Sequence, residues 1–544
     1  MKKIFLKSAG FFLASFLVLG GLTACGGKDP AAEGTTAVSD SQAGAGETSA
    51  DANVPSEGGE STFTYAIAGD PGANVNVITT SDRFGLMTIK MIYSPLYMYN
   101  ADGINYFLAK SIDTSDDNLS YTIHLRDDVK WSDGEPFTAD DVVFTFDAME
   151  KEENAGWAYS QLVYPEGAVT IEKVDDYTVK LTMPFVNSAA VEMFSQIFIM
   201  PKHVYENVTN FENNDVNTKP VGTGPYVMSD YSAGSYVKFT KNDSYFLGAP
   251  SIDTIVYRII ENENTAMTAI QSGEVDAWIG TPAQVEQMDL DSSNLTVYPY
   301  QEGRVGYMMI NAARVQNEDL RKAILFALDK KAIADAALLS SENYDLPWSF
   351  MPPNSQFFTE DVEKYEQNLE KSKEYLAASG VTNPELTLAY SATDSLQSTS
   401  ALIIQEQLEK AGIKVTLSGV DSKALSQQMK QADNTYDMYF GGYIMGIDPD
   451  TFSSLFESGA AYNYMHYDAP EINDMFAEGR KETDETKRKE IYTGIQQKIQ
   501  DMACFYPLYS NKRLLVVSKN VTGIEDAKLV PVYTFEDTSK LQKK

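Results

Sequence analysis

Cysteine and histidine are almost missing from this chain: two and three, respectively, in 544 residues. Two cysteines cannot build a multi-bridge disulfide framework. Cys504 lies in an apolar stretch, Met502-Ala503-Cys504-Phe505-Tyr506, which predicts a buried, inert thiol. His124, His203 and His466 stand in three unlike contexts and H-E-x-x-H is absent, so no histidine is assigned to a metal. Basic residues are outnumbered, 43 Lys and Arg against 77 Asp and Glu, for a formal charge of −34. That charge repels phosphates and excludes a nucleic-acid partner; solubility is its ordinary meaning. Gly222-Thr223-Gly224-Pro225 lacks the lysine of a phosphate loop, and no G-x-S-x-G elbow is present. Asp448-Pro449-Asp450 starts like a calcium loop, but Phe452 stands where an oxygen ligand belongs. Asp289 and Asp291 start another that lacks its glycine and closing glutamate. No catalytic residue, metal or cofactor is therefore assigned, and an enzyme is not expected. The many acids offer carboxylate pairs whose spacing only a structure supplies.

What is present begins with an address. Lys2, Lys3 and Lys7 precede an apolar run from Ala9 to Leu19, too short to span a bilayer comfortably. Leu22-Thr23-Ala24-Cys25-Gly26 resembles the bacterial lipoprotein processing box. That implies a signal peptide at 1–24, cleavage before Cys25, and lipid on Cys25 as the membrane anchor. Residues 26–60 are rich in Gly, Ala, Ser, Thr, Asp and Glu with almost no large apolar side chain. Such a segment cannot offset its chain entropy and reads as a flexible linker. No later apolar run reaches transmembrane length.

From Ser61 the pattern is globular. Strands are expected at 62–68, 120–126, 177–183, 275–279, 413–417 and 436–440, from alternation bounded by turn residues. Helices are expected from Thr138 (an N-cap with Asp141 at the box position), over 265–272, as one long helix over 318–338, over 395–411 and over 425–431. Alternating strands and helices predict α/β lobes with largely parallel sheets. No internal repeat of 20–50 residues is visible.

Several blocks then fall in one order. Residues 108–149 carry Leu-Ala-Lys-Ser, Ser115-Asp116-Asp117, Tyr121 to Arg126, Val129-Lys130-Trp131-Ser132-Asp133-Gly134 and Pro136 to Val142. They are followed by Val221 to Tyr226, Asn242 to Phe246, Ser272-Gly273-Glu274-Val275-Asp276, Arg321-Lys322-Ala323 with Ala327 to Lys330, and Asp448 to Phe452. Together they resemble the family-5 extracellular solute-binding proteins, the peptide- and nickel-binding group of bacterial ABC importers, over about residues 61–510. The resemblance implies a two-lobed, type II periplasmic-binding-protein-like α/β fold with a hinge. Lobe 1 maps to 61–90, 221–300 and 505–544, a domain inserted in it to 91–220, and lobe 2 to 301–504. Trp131, Asp133 and Gly134 then have a turn and packing role.

A ligand is expected where backbone comes close and aromatics cover it. Three regions fit: the turn holding Asp70 and Asn74, the strand end at Trp278 and Gly280, and the loop from Tyr439 to Asp448. In the last, Gly441 and Gly442 admit backbone donors, and Tyr439 and Tyr443 supply flat walls; Tyr307 joins the set. Peptide binders of the family hold the ligand's amino group with an aspartate at the position occupied here by Met445. This departure leaves the anchoring to Asp448, Asp70 or another carboxylate, or to a ligand without that group. The expected partners are a short peptide, permease subunits of an ABC importer and the membrane through the lipid anchor, for a monomeric extracytoplasmic protein. An oligosaccharide, nickel or a metal chelate, an opine, or a sensing role is the alternative.

Overall fold

The computed structural model describes residues 61–544 apart from Ala101, Met445 and Ile447. Cys25, the signal sequence and the linker lie outside the described residues, as do Met445 and the side chain of Tyr443.

The chain opens on β1 (Thr62–Ile67), whose alternation puts Phe63 and Tyr65 inside. In α1 (Arg83–Ile92) the Asp82 carboxylate accepts from the amides of Phe84 and Gly85, two donors a helix start leaves open. The inserted segment builds its own antiparallel sheet from β2 (Ala109–Thr114), β3 (Ser120–Leu125), β4 (Thr170–Asp175) and β5 (Thr178–Thr182), ordered β2-β3-β5-β4. Helix α2 (Ala139–Met149) packs on it, and the short α3 (Ala190–Ser195) follows. Buried Asp141 ties the hallmark turn together: it accepts from Thr138 N at 2.9 Å, Lys202 N at 2.9 Å and Trp131 Nε1 at 3.4 Å. Trp131 is itself buried against Phe137. The Gly222–Pro225 turn passes so close to the end of α1 that a Cβ on Gly222 would lie 1.9 Å from the Ile92 carbonyl oxygen.

The main sheet uses β6 (Tyr226–Ser232), β7 (Tyr236–Lys241), β8 (Thr254–Ile259), β9 (Ala277–Gly280), which follows α4 (Glu263–Ser272), β10 (Leu295–Gln301) and β11 (Arg304–Ile310). After α5 (Glu318–Phe326) and α6 (Lys330–Leu338) come β12 (Glu385–Ser391), α7 (Ser395–Lys410), β13 (Lys414–Val420) and β14 (Met438–Ile444). Helices α8 (Pro470–Lys481) and α9 (Glu485–Asp501) lead to the 14-residue β15 (Phe505–Ser518). The order is β6-β7-β8-β1-β9-β15-β11-β14-β12-β13, with β10 also on β15. Expected as largely parallel, the sheet is mixed. Only β1 with β8 and β9, and β12 with β13 and β14, run parallel. The β6–β7 hairpin and the crossing strand β15 force antiparallel pairing elsewhere. The single helix expected over 318–338 is also two, because Asp329 caps a new start by accepting from Ala332 N.

Two lobes emerge from the core. Two clusters of buried apolar side chains draw on residues 63–300 and 515–541, and two others only on 307–509. The lobe boundary expected at 504/505 therefore moves into β15. Phe505 to Tyr509 pairs with β11 in lobe 2, and Leu514 to Ser518 pairs with β9 and β10 in lobe 1. The hydrophobic pattern of one long strand carries no sign of where its partners change. The segment mapped to 91–220 shares one core cluster with lobe 1. Among the described residues, no helix is long and apolar enough to cross a membrane.

Candidate functional site

Strand directions locate the cleft. The chain passes between lobes twice, at Glu302–Gly303 between β10 and β11 and at Ser510–Arg513 within β15. β9 pairs with β15 up to Gly280↔Leu514, its carboxyl end toward the crossing, and β11, on the opposite edge of β15, begins at Arg304 beside the same crossing. The carboxyl ends of β1 and β9 in lobe 1 thus point toward those of β12 and β14 in lobe 2. Open α/β sheets bind ligands at such strand ends. Across the rim, Ser188 of the insert donates its amide to the Arg480 carbonyl (2.9 Å) and its hydroxyl to the Glu482 carbonyl (2.5 Å). Gln356 Nε2 reaches the Tyr99 hydroxyl at 3.5 Å.

Several expected contacts prove to be structural. Asp70 accepts from the Gly72 and Gly234 amides and the Tyr231 hydroxyl, pinning its turn to the β6–β7 hairpin. Trp278 is buried with Ala266, Ile270 and Val516 beneath β9, and Gly280 lies against its ring. Tyr439 is fully buried, donating its hydroxyl to the Tyr464 carbonyl, and the Tyr307 ring packs at a tilt against Phe505 in the same core. Tyr307, Met309 and Tyr439 face this core, so the rings of Tyr307 and Tyr439 pack rather than line a wall. Asp448 is spent on Arg488, through contacts of 2.8 and 2.9 Å. Next to it, burial raises the Asp450 carboxyl although Arg480 holds it at 2.8 Å. Asn74 is exposed. The Gly441–Gly442 backbone remains at the strand end.

That backbone is distinctive. β14 pairs with β12 only at Met438 and Tyr439, then runs on to Ile444. Its opposite edge stays on β11 throughout, from Ile310↔Met438 to Arg304↔Ile444. From Phe440 onward the β12-side edge has no strand partner among the described residues.

The cleft floor carries groups that sequence reasoning missed. Buried Glu302 accepts from Arg83 at 2.7 and 3.2 Å, and Arg513 lies 3.5 Å away. Burial alone would raise the Glu302 carboxyl, but the Arg513 and Arg83 guanidiniums outweigh it and hold it below its ordinary value. The available sequence signal was basic residues, Arg304, Lys512 and Arg513, at both crossings of an acidic chain. Cys504 is buried, and burial pushes its thiol up to about 12, which leaves it unreactive. No group of three metal-ligating side chains occurs among the described residues.

An open groove of about 520 Å³ lies elsewhere, on lobe 2 between Gln356–Phe357 and the first turns of α9. It is lined by Glu485, Lys489 and Glu490 and by no lobe 1 residue, so the lobes cannot enclose a ligand there. The strand ends are the stronger site.

Two lobes, two crossings and a polar floor between facing strand ends define a two-lobed solute-binding protein. The chain belongs to the bacterial extracellular solute-binding proteins, family 5, whose pattern matches residues 103–464. It is 35% identical to the crystallised ABC transporter substrate-binding protein CtaP of Listeria monocytogenes, covering 89% of this chain and 99% of that one with a TM-score of 0.86. AppA of Clostridium difficile is 32% identical over 89% and 100% of the two chains, with a TM-score of 0.83. The oligopeptide-binding protein AppA of Bacillus subtilis is 28% identical over 509 residues, 87% of this chain and 90% of its own.

Proposed function

We propose that this protein captures short peptides between its lobes and delivers them to the permease of an ABC importer, without chemistry on the ligand. The carrying observation is the unpartnered edge of β14 from Phe440 to Ile444 at the cleft. An extended peptide can add to such an edge through main-chain hydrogen bonds, which are indifferent to side chains and give broad specificity. The oligopeptide-binding relative supports the same ligand class. Lipid on Cys25 would hold the protein at the outer face of the membrane, the linker to residue 60 acting as a leash. A monomer suits this work, with the permease subunits as protein partners.

The test is to denature the purified protein and identify released small molecules by mass spectrometry. A nested set of short peptides is expected; a single sugar, chelate or opine would replace the ligand class, and cleaved peptides after incubation would end the reading of binding without turnover. Cys25→Ala should move the protein out of the membrane fraction, and its retention there would defeat the anchor.

A further inference from the structure

The chain has nine arginines, all described. Seven are within 4 Å of a carboxylate: Arg83, Arg126, Arg258, Arg314, Arg480, Arg488 and Arg513. Arg321 donates to the carbonyls of Val315, Gln316 and Met502. Arg304 differs. Its hydrogen-bond partner is the Asn511 side-chain oxygen, 3.4 Å from Nη1, and it has no ion-pair partner among the described residues. A guanidinium carries five N–H donors in a planar fork, so most of its capacity is unspent.

Its place is built. Gly306 and Gly442 face each other across β11 and β14. The Tyr509 ring covers the first, 3.0 Å from where a Cβ would stand. The Arg304 guanidinium covers the second, with Nη2, Cζ and Nε at 2.6, 2.8 and 3.1 Å from a Cβ on Gly442. Gly442 is thus the bed of Arg304. The neighbouring acids cannot neutralise it. Glu302 is engaged by Arg83 and Arg513, and Asp345 by Gln301 and Lys512. Arg83, Arg304, Lys512 and Arg513 against Glu302 and Asp345 leave the floor of the cleft net positive in a chain of charge −34.

We propose that Arg304 binds a carboxylate of the captured ligand at the cleft floor, laid flat on the Gly442 backbone and steadied by Asn511. This rests on the reading of the cleft as a peptide site and adds the chemistry it selects. Two N–H donors on one edge of the fork match a carboxylate in bidentate fashion. The group is either the peptide's C-terminal carboxylate or an acidic side chain.

The test uses the purified full chain and a randomised tri- to pentapeptide library, made both as free acids and as C-terminal amides, with citrate and glutarate as peptide-free carboxylates. Binding is read by native mass spectrometry and titration calorimetry. Wild type should prefer acids over amides, or acidic residues within the amides, by about 10- to 100-fold, the range for a charge-assisted pair. Arg304→Gln should erase that preference, and Gly442→Ala, which displaces the guanidinium, should reduce it but change nothing further in the Arg304→Gln background. The first preference assigns the C-terminal carboxylate and the second a side chain. Equal binding of acids and amides by wild type, or an unchanged preference in Arg304→Gln, overturns the role of Arg304 while peptide capture stands. Uptake of citrate or glutarate but no peptide, weakened in Arg304→Gln, sustains Arg304 and overturns peptide capture. No binding of any of these sinks both.

Discussion

Asp448 and Arg488, 40 residues apart, form a bidentate ion pair within lobe 2, each side chain less than a tenth exposed. The pair pins the loop that follows β14. Arg488→Met leaves a buried carboxylate with no counter-charge, so it should cost about 3–5 kcal/mol. The urea midpoint measures this. Asp448→Asn combined with Arg488→Met should cost less than the two changes summed, because the second removes the charge the first stranded. Additive losses would mean that the pair does not hold the loop.

Much of the fold was legible because its signals are local. Alternation marked β1 and β3, and Thr138 with Asp141 marked the start of α2. The candidate site was legible only to the level of loops. Whether Asp448 faces a ligand depends on Arg488, and whether Trp278 lines a cleft depends on α4. Neither relation leaves a mark in the spacing of nearby residues. The break at Asp329 was readable in principle, as an aspartate in capping position, but the apolar period continues across it.

Glu302 gives the inter-lobe crossing an acid-sensitive term. Its carboxyl is depressed in the folded chain, so the unfolded chain binds the extra proton. That stabilisation is complete above the ordinary glutamate value of about 4.3 and is lost as pH falls through the folded value. Glu302→Gln should therefore cost at least about 2 kcal/mol near neutrality, since it leaves Arg83 and Arg513 without their anion. The gap to wild type should close in urea titrations run at successively lower pH below about 4. A gap independent of pH would refute the charge pairing.

Lys90 acts in the opposite pH range. It is buried, its ammonium 4.2 Å from the Phe107 ring centroid and donating to Met98 Sδ at 3.0 Å. Burial pushes its pKa down to about 8, against the pull of Asp537 and Glu536. Between that value and the ordinary lysine value of about 10.4 the unfolded chain holds a proton the folded chain lacks. Stability from this group consequently rises with pH across the window. Lys90→Met should raise stability near pH 7 by roughly 2–3 kcal/mol and show no such rise. Chemical denaturation between pH 7 and 10 compares the two proteins directly.

Ser188 bridges the insert to lobe 2, donating its hydroxyl to the Glu482 carbonyl and its amide to the Arg480 carbonyl. Neither bond is internal to one lobe, so both are made only while the lobes meet. Ser188→Ala removes one of them and leaves each lobe's core untouched. One hydrogen bond is worth about 1 kcal/mol net, which corresponds to roughly fivefold in rate. Peptide dissociation, followed by stopped-flow displacement, should accelerate by about that factor, while the association rate and the thermal midpoint of the unliganded protein stay unchanged. Ser188→Pro deletes the amide donor as well and should add to the effect. Unchanged rates with a lowered thermal midpoint of the unliganded protein would mean that the contact is present before the ligand enters, and that the rim is a fixed wall rather than part of closure.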